Sequence, residues 1–281
     1  MEFKHVRPDE SVNISPHNPL FEFLKYLFAI GILCCGIYFS LGFFSDRIAI
    51  LIPASFENII SENAITQVLT TIATKKNDTQ VEAYQKYIDS LVLKLPADTY
   101  EPYDKISIHV VNSDEPNAFA FFGGHIILTT GLFGSVKTEN GLMFVIGHEL
   151  GHLHHRHVMR SMGRGIIFLC MQMFLSSAEV GSSDFSSYLM IPTQLVHSRS
   201  QEREADEWGV IVLNKLYGHS EGANEFFEYL LKNEGESALE SVLSSHPIPS
   251  DRIEALRVLS GIQENNGENP LIEIPKNLKN N

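Results

Sequence analysis

His148-Glu149-Leu150-Gly151-His152 is the stretch of this 281-residue chain whose residue types can do chemistry together. On a helix, residues four apart lie one above the other at about 40° of rotation, so His148 and His152 can aim two imidazoles at one tetrahedral zinc ion. Glu149 sits beside them and faces a zinc-bound water, whose pKa the metal lowers towards ~7, as its general base. Such a short pattern needs a third ligand. His157 lies about 180° round a continuous helix from His148 and points away. His155 shares the ligand face but lies roughly 10 Å along the axis, too far to share an ion. A metzincin-type set would need a histidine where Val158 stands and a glycine where His155 stands. His154, His155 and His157 therefore read as solvated or structurally paired.

The third ligand is read downstream, in Gln201-Glu202-Arg203-Glu204-Ala205-Asp206. Glu202 and Asp206 are again four apart, so one helix presents both on one face, while Glu204 is turned about 200° from Glu202. Glu202 closes a His, His, Glu set around one zinc, with water in the fourth position. Asp206 accepts the remaining ring N–H of a ligand histidine and fixes its tautomer. Arg203, Glu204 and Glu207 read as a charged, solvated helix face.

These motifs, with Asn117-Ala118-Phe119-Ala120 and Gly123-Gly124-His125 before them and Ser245-His246-Pro247 and Arg252-Ile253 after them, resemble the zinc endopeptidase family that includes HtpX, BepA, the Oma-type mitochondrial proteases and the CAAX prenyl proteases. The resemblance runs roughly from residue 60 to 260. Phe122 departs from it, standing where the family pattern has a proline before the glycine pair. The resemblance implies an α+β fold, mostly α, of gluzincin type, with a small sheet beside the active-site helix. It assigns binding of the substrate backbone, by strand addition, to an edge strand at 124–129, with Asn117, Ala118, Gly124, His125 and Ile126 as substrate-binding residues; a buried strand without substrate contact is the rival reading. For His246 it implies two roles: a donor to the oxyanion of the tetrahedral intermediate, or a cap on the fourth position of zinc that holds the enzyme latent. A structural turn histidine before Pro247 is the third reading. The oxyanion role is preferred, which makes His246 a catalytic candidate beside Glu149. Arg252 either assists the oxyanion or, the preferred reading, pairs with a buried carboxylate.

The elements that must position these residues follow from hydropathy and punctuation. Residues 26–44 are 19 consecutive uncharged positions, about 28 Å of helix, close to the ~30 Å core of a bilayer, and read as a transmembrane helix. Lys4, Arg7 and Lys25 precede the span and Arg47 follows it, which keeps residues 1–25 cytoplasmic and puts the rest across the membrane. In a bacterium this is the inner membrane, with a periplasmic catalytic domain. Apolar spacing predicts helices over 56–74 and 79–95. Alternation predicts strands over 105–111, 118–121 and 125–129. The active-site helix is expected over 139–162 with Thr138 as N-cap, a core or surface-inserted helix over 165–175, a polar loop over 181–187, the second ligand helix over 200–217 and another over 221–232. The metallopeptidase domain is then 46–260. Residues 261–281, rich in asparagine, read as a loosely ordered tail.

Composition bounds the function. A formal charge of −13 speaks against nucleic-acid binding and supplies no basic surface for anionic lipid. Cys34 and Cys35 are adjacent and Cys170 lies in an apolar run, so no disulfide framework is implied. The sequence reads as a membrane-anchored zinc metalloendopeptidase that hydrolyses peptide bonds with a water activated by Glu149. Its expected substrates are unfolded or misassembled envelope proteins. The alternative is an assembly chaperone that holds clients in the same cleft without cutting them.

Overall fold

A computed structural model describes residues 18–51, 53–72, 78–161, 197–233, 242, 246, 250–260 and 269–278. The expected helix at 165–175 and loop at 181–187 lie outside these residues. The chain divides into two compact units, Met1–Phe44 and Ser45–Asn281. Helix α1, Pro19–Leu51, starts where the Asn18 side chain accepts from the Leu20 N–H at 3.1 Å. It starts before the uncharged span expected from 26 and includes Glu22 and Lys25, which pair along the helix at 3.8 Å. Its stretch Pro19–Ile37 is long and apolar enough to cross a membrane, and Phe28 and Leu33 point outward, uncovered by protein.

In the second unit, α2 (Ala54–Ile72) and α3 (Asp78–Val92) precede a three-stranded sheet of β1 (Ser107–Val111), β2 (Ala118–Phe121) and β3 (His125–Thr129). The strand order is β1-β3-β2, with β1 parallel and β2 antiparallel to β3. The strands thus fall at the expected positions, but β3 is central. On the outer side of β1, Gln85 of α3 donates to the Ile108 carbonyl at 2.8 Å and accepts from the Val110 N–H at 2.9 Å, so a side chain occupies that edge. The outer side of β2 carries no paired strand among the described residues. Asn117 and Thr129 form a hydrogen-bonded pair, so by alternation Phe119 and Phe121 also face β3, and the peptide groups of Ala118 and Ala120 point to the open edge.

After the short helix α4 (Leu132–Ser135) comes α5, Glu139–His154, buried almost throughout. Thr138 caps it, its hydroxyl accepting from the Gly141 N–H at 3.0 Å, while the Glu225 carboxylate accepts from Lys137 N–H, Thr138 N–H and the Thr138 hydroxyl. Helix α6, Arg199–Tyr217, opens on a capping box of Ser198 and Gln201 and stops at Gly218 with φ +77°. Helices α7 (Glu225–Lys232) and α8 (Ser250–Ser260) complete the described set. The start of α7 is later than the expected 221, because Gly222 turns the chain at φ +96° against Asn140.

Two expectations fail for identifiable reasons. The active-site helix does not run to 162: it ends at His154, Arg156 takes φ +55°, and helix resumes over 157–161. The Arg156 guanidinium is drawn inward to Glu57 of α2, a buried carboxylate that also accepts from the Tyr103 hydroxyl at 2.7 Å and the Gly123 N–H at 3.2 Å. The tail is not loose where it is described. The Ile272 carbonyl accepts from the Glu139 N–H at 2.7 Å, one of the donors that the first turn of α5 leaves unpaired, and Ile274 and Leu278 are buried.

Helices α5 and α6 cross at van der Waals contact because glycines line the crossing. A Cβ on Gly151 would stand 2.8 Å from the Ala205 Cα and 2.9 Å from the Trp208 Cβ; one on Gly147 would stand 3.0 Å from the Val212 Cβ. Gly151→Ala is therefore expected to destabilise the protein by ~1–3 kcal/mol through overpacking. Gly134→Ala, which meets nothing within 4 Å, is expected to be neutral or to stabilise by about 0.4–1 kcal/mol. Denaturant unfolding of the two variants checks the contrast.

Candidate metal centre

Because α5 and α6 touch, side chains from both meet in one buried spot. His148 Nε2 and His152 Nε2 stand 3.1 Å apart. The Glu202 carboxylate lies 3.6 Å from the first and 3.5 Å from the second. His246 brings Nδ1 to 3.4 Å from His148 Nε2 and 3.0 Å from Glu202 Oε1. One donor atom from each of the four residues lies within 4.8 Å of all the others. Donors at about 2.0–2.1 Å on the corners of a tetrahedron stand roughly 3.3 Å apart, so these spacings fit a single zinc ion. Two imidazole nitrogens facing each other with a carboxylate between them are also the donor types zinc takes.

The electrostatics favour the metal-binding forms of His152 and Glu202, whereas at His246 the Glu202 charge overcomes burial and raises the ring. Burial, with His197 close by, pushes His152 well below the usual imidazole range, towards the neutral ring that a metal requires. Burial would raise the Glu202 carboxyl, but the charge of His246 beside it outweighs that and holds the group far down, as carboxylate.

A second layer holds the first. His148 turns Nδ1 to Asp206 Oδ1 at 2.9 Å, the arrangement expected from their spacing. Arg252 grips that carboxylate with Nε at 2.6 Å and a terminal nitrogen at 2.8 Å, and its other terminal nitrogen reaches Glu202 at 2.5 Å. Of the two roles weighed for Arg252, this geometry is that of the carboxylate partner. His157 does not point away from His152. The turn at Arg156 returns it, fully buried, to within 3.0 Å of His152 Nδ1, and its Nε2 meets Glu204 at 2.9 Å. Glu204 had read as a solvated charge. Nothing in the sequence marks this pair, because arginine is not a residue type that announces a left-handed turn. His197, stacked on His152 at 3.9 Å, was likewise not singled out. His154 stacks on Trp208 at 3.7 Å, and His155 packs edge-on to the same indole, so both are structurally paired.

Glu149 is buried on the other side of the cluster, Oε1 lying 3.8 Å from His246 Nε2. Beside it opens a cavity of about 30 Å³ whose lining includes Asn117, Ala118, Glu149, His246, Phe227 and Leu230. That is room for about two waters. Asn117 and Ala118 thus border the site. Gly124, His125 and Ile126 do not offer an edge: β3 is flanked on both sides, and a hairpin read from sequence does not disclose which of its strands lies outermost. His125 instead bonds His109 at 3.0 Å and Ser61 at 3.2 Å, and burial, helped by the charges of His109 and Lys105, pushes it down to about 4.

A mostly helical protein with a three-stranded sheet and a buried His, His, Glu cluster that can hold a metal is the class these features define. Residues 82–260 match the model of peptidase family M48, and the chain belongs to that family. It is 32% identical over 180 residues to the putative beta-barrel assembly-enhancing protease of Vibrio cholerae, and 30% identical over 184 residues to the beta-barrel assembly-enhancing protease of Escherichia coli. Each alignment covers 60% of this chain and 37% of the relative, so the chain spans little more than a third of their length. The mitochondrial metalloendopeptidase OMA1 of Schizosaccharomyces pombe is 25% identical over 209 residues, 72% of this chain and 60% of its own.

Arg252 neutralises two buried carboxylates, which yields a stability test. Arg252→Met should destabilise the metal-free protein by ~3–5 kcal/mol, the usual effect of stranding buried charge. Unfolding in the presence of chelator measures that loss, and added zinc should restore part of it by bringing positive charge back to Glu202.

Proposed function

We propose that this protein is a membrane-anchored zinc endopeptidase of gluzincin type. The observation that carries the reading is the tetrahedral spacing of His148, His152 and Glu202 with Glu149 next to them. His148, His152 and Glu202 would hold a zinc ion, which when bound would acidify water towards ~7 and polarise the scissile carbonyl. Glu149 takes the proton of the attacking water and delivers it to the leaving amine. Asp206 and Arg252 hold the ligands in orientation and take no part in the proton transfer.

The substrate backbone adds to the open edge of β2, not to β3. Ala118 and Ala120 direct their peptide groups there, and the Ala118 N–H is met in the resting protein by the side chain of its neighbour, Asn117, at 2.8 Å. An extended peptide replaces that contact and lies beside the small cavity lined by Phe227 and Leu230. Pairing through peptide groups suits unfolded chains, and the names of the bacterial relatives point to envelope proteins among them. Residues 26–44, within α1, serve as the anchor, with the catalytic domain on the far side of the cytoplasmic membrane. The presence of Glu149, which holding a client does not require, supports proteolysis over a purely chaperone role.

The resting position of His246 supports the capping role over the oxyanion role. Its Nδ1 lies within the ligand cluster, and its Nε2 is buried with no hydrogen-bond partner among the described residues. In that position it takes the fourth place of the donor set.

Two measurements test these roles. Glu149→Gln should keep its zinc and lose casein hydrolysis by ~10²–10⁴-fold; unchanged turnover would place the base elsewhere. His246→Ala, compared at equal zinc occupancy, should cleave faster than the parent. A fall of ~10²–10³-fold would return His246 to the oxyanion.

A further inference from the structure

We propose that His157 and Glu204 are positioning residues that fix the proton of His152 on Nδ1 and so leave its Nε2 free to hold the metal. The inference rests on the zinc reading above and concerns a pair that the catalytic description leaves without a task. Both ligand histidines turn a nitrogen to a support. For His148 the support is Asp206, an acceptor in its charged form, which settles the matter alone. For His152 it is another imidazole, His157, at 3.0 Å between the two Nδ1 atoms.

Between two imidazole nitrogens one must donate and one accept, and the choice decides whether His152 can bind metal. If His157 donated from Nδ1, His152 would carry its proton on Nε2, pointed into the ligand cluster, and could not coordinate. Glu204 excludes that state. Its carboxylate lies 2.9 Å from His157 Nε2 and only accepts, so it draws the His157 proton to Nε2. In the neutral ring a proton on Nε2 leaves Nδ1 bare, facing His152 Nδ1 at 3.0 Å. It accepts from His152 Nδ1–H, and His152 Nε2 keeps a lone pair 3.1 Å from His148 Nε2. The geometry depends on the turn at Arg156: a helix continued through φ −60° would carry His157 to the opposite face. Helix α6 thereby supplies a ligand and both terminal supports from Glu202, Glu204 and Asp206.

The test is zinc affinity of the detergent-solubilised full chain, measured by competition with a chromophoric chelator. His157→Phe keeps the ring volume and removes the acceptor, and should weaken zinc about 10–100-fold, the usual effect of losing an outer hydrogen-bond partner. His157→Asn places an oxygen where Nδ1 stood and should recover most of the loss, a rescue that a purely space-filling role would not show. Glu204→Gln retains an acceptor and should match the parent more closely than Glu204→Ala. In ¹⁵N spectra of the zinc-loaded parent, His152 should be protonated on Nδ1 and His157 on Nε2. Parental affinity in His157→Phe overturns the proposal, as does an Asn variant as weak as Phe. Should His157→Phe not fold, the spectra decide: a proton on His157 Nδ1 overturns it, one on Nε2 upholds it. A parent that binds no zinc overturns the zinc reading itself, whereas a zinc-binding parent with indifferent variants overturns this proposal alone.

Discussion

The structure depends on how closely α5 and α6 approach. His148 and His152 come from one helix and Glu202 and Asp206 from the other, and a donor set about 3.3 Å on edge forms only where the two backbones nearly touch. Gly147 and Gly151 stand on the α5 side of the crossing, with Ala205 and Gly209 opposite. Each of the two glycines precedes a histidine of the donor cluster by one residue. The residue that brings the backbones together and the residue that uses their proximity are thus neighbours in sequence.

Buried charge is placed where elements meet. Glu57 ties α2 to Arg156 at the end of α5 and to the turn before β3. At the other end, Glu139 accepts from Tyr87, Lys94 and Tyr217. Arg252 of α8 closes over Glu202 and Asp206. Desolvation offsets much of the Coulomb gain in such pairs, so their main effect is on register. The active-site helix is held at its start, along its length and at its end by groups that tolerate little displacement.

What was legible in the sequence follows the helical period. His148, Glu149, His152, Glu202 and Asp206 could be placed because spacing of four on a regular helix fixes relative direction, and Thr138 announces the cap of α5. Where regularity breaks, the reading fails. His157 was sent to the wrong side because the turn at Arg156 has no sequence marker. The central place of β3 depends on β1 returning beside it, a long-range pairing no local pattern contains. Residues 269–278 look unstructured by composition, yet the start of α5 needs the acceptor that Ile272 supplies.

The side of β2 that carries no paired strand among the described residues bears on how this protein behaves when crowded. An unpaired strand edge invites a second copy to add to it, and long flat edges are common starting points for aggregates. Here the strand is four residues long, and Asn117 folds its own amide back onto the first outward N–H. Two such edges meeting head-on would each have to give up that internal contact for a ladder too short to hold them. The edge is thereby protected against copies of itself, and self-assembly into sheets is disfavoured at the same strand that faces the cleft.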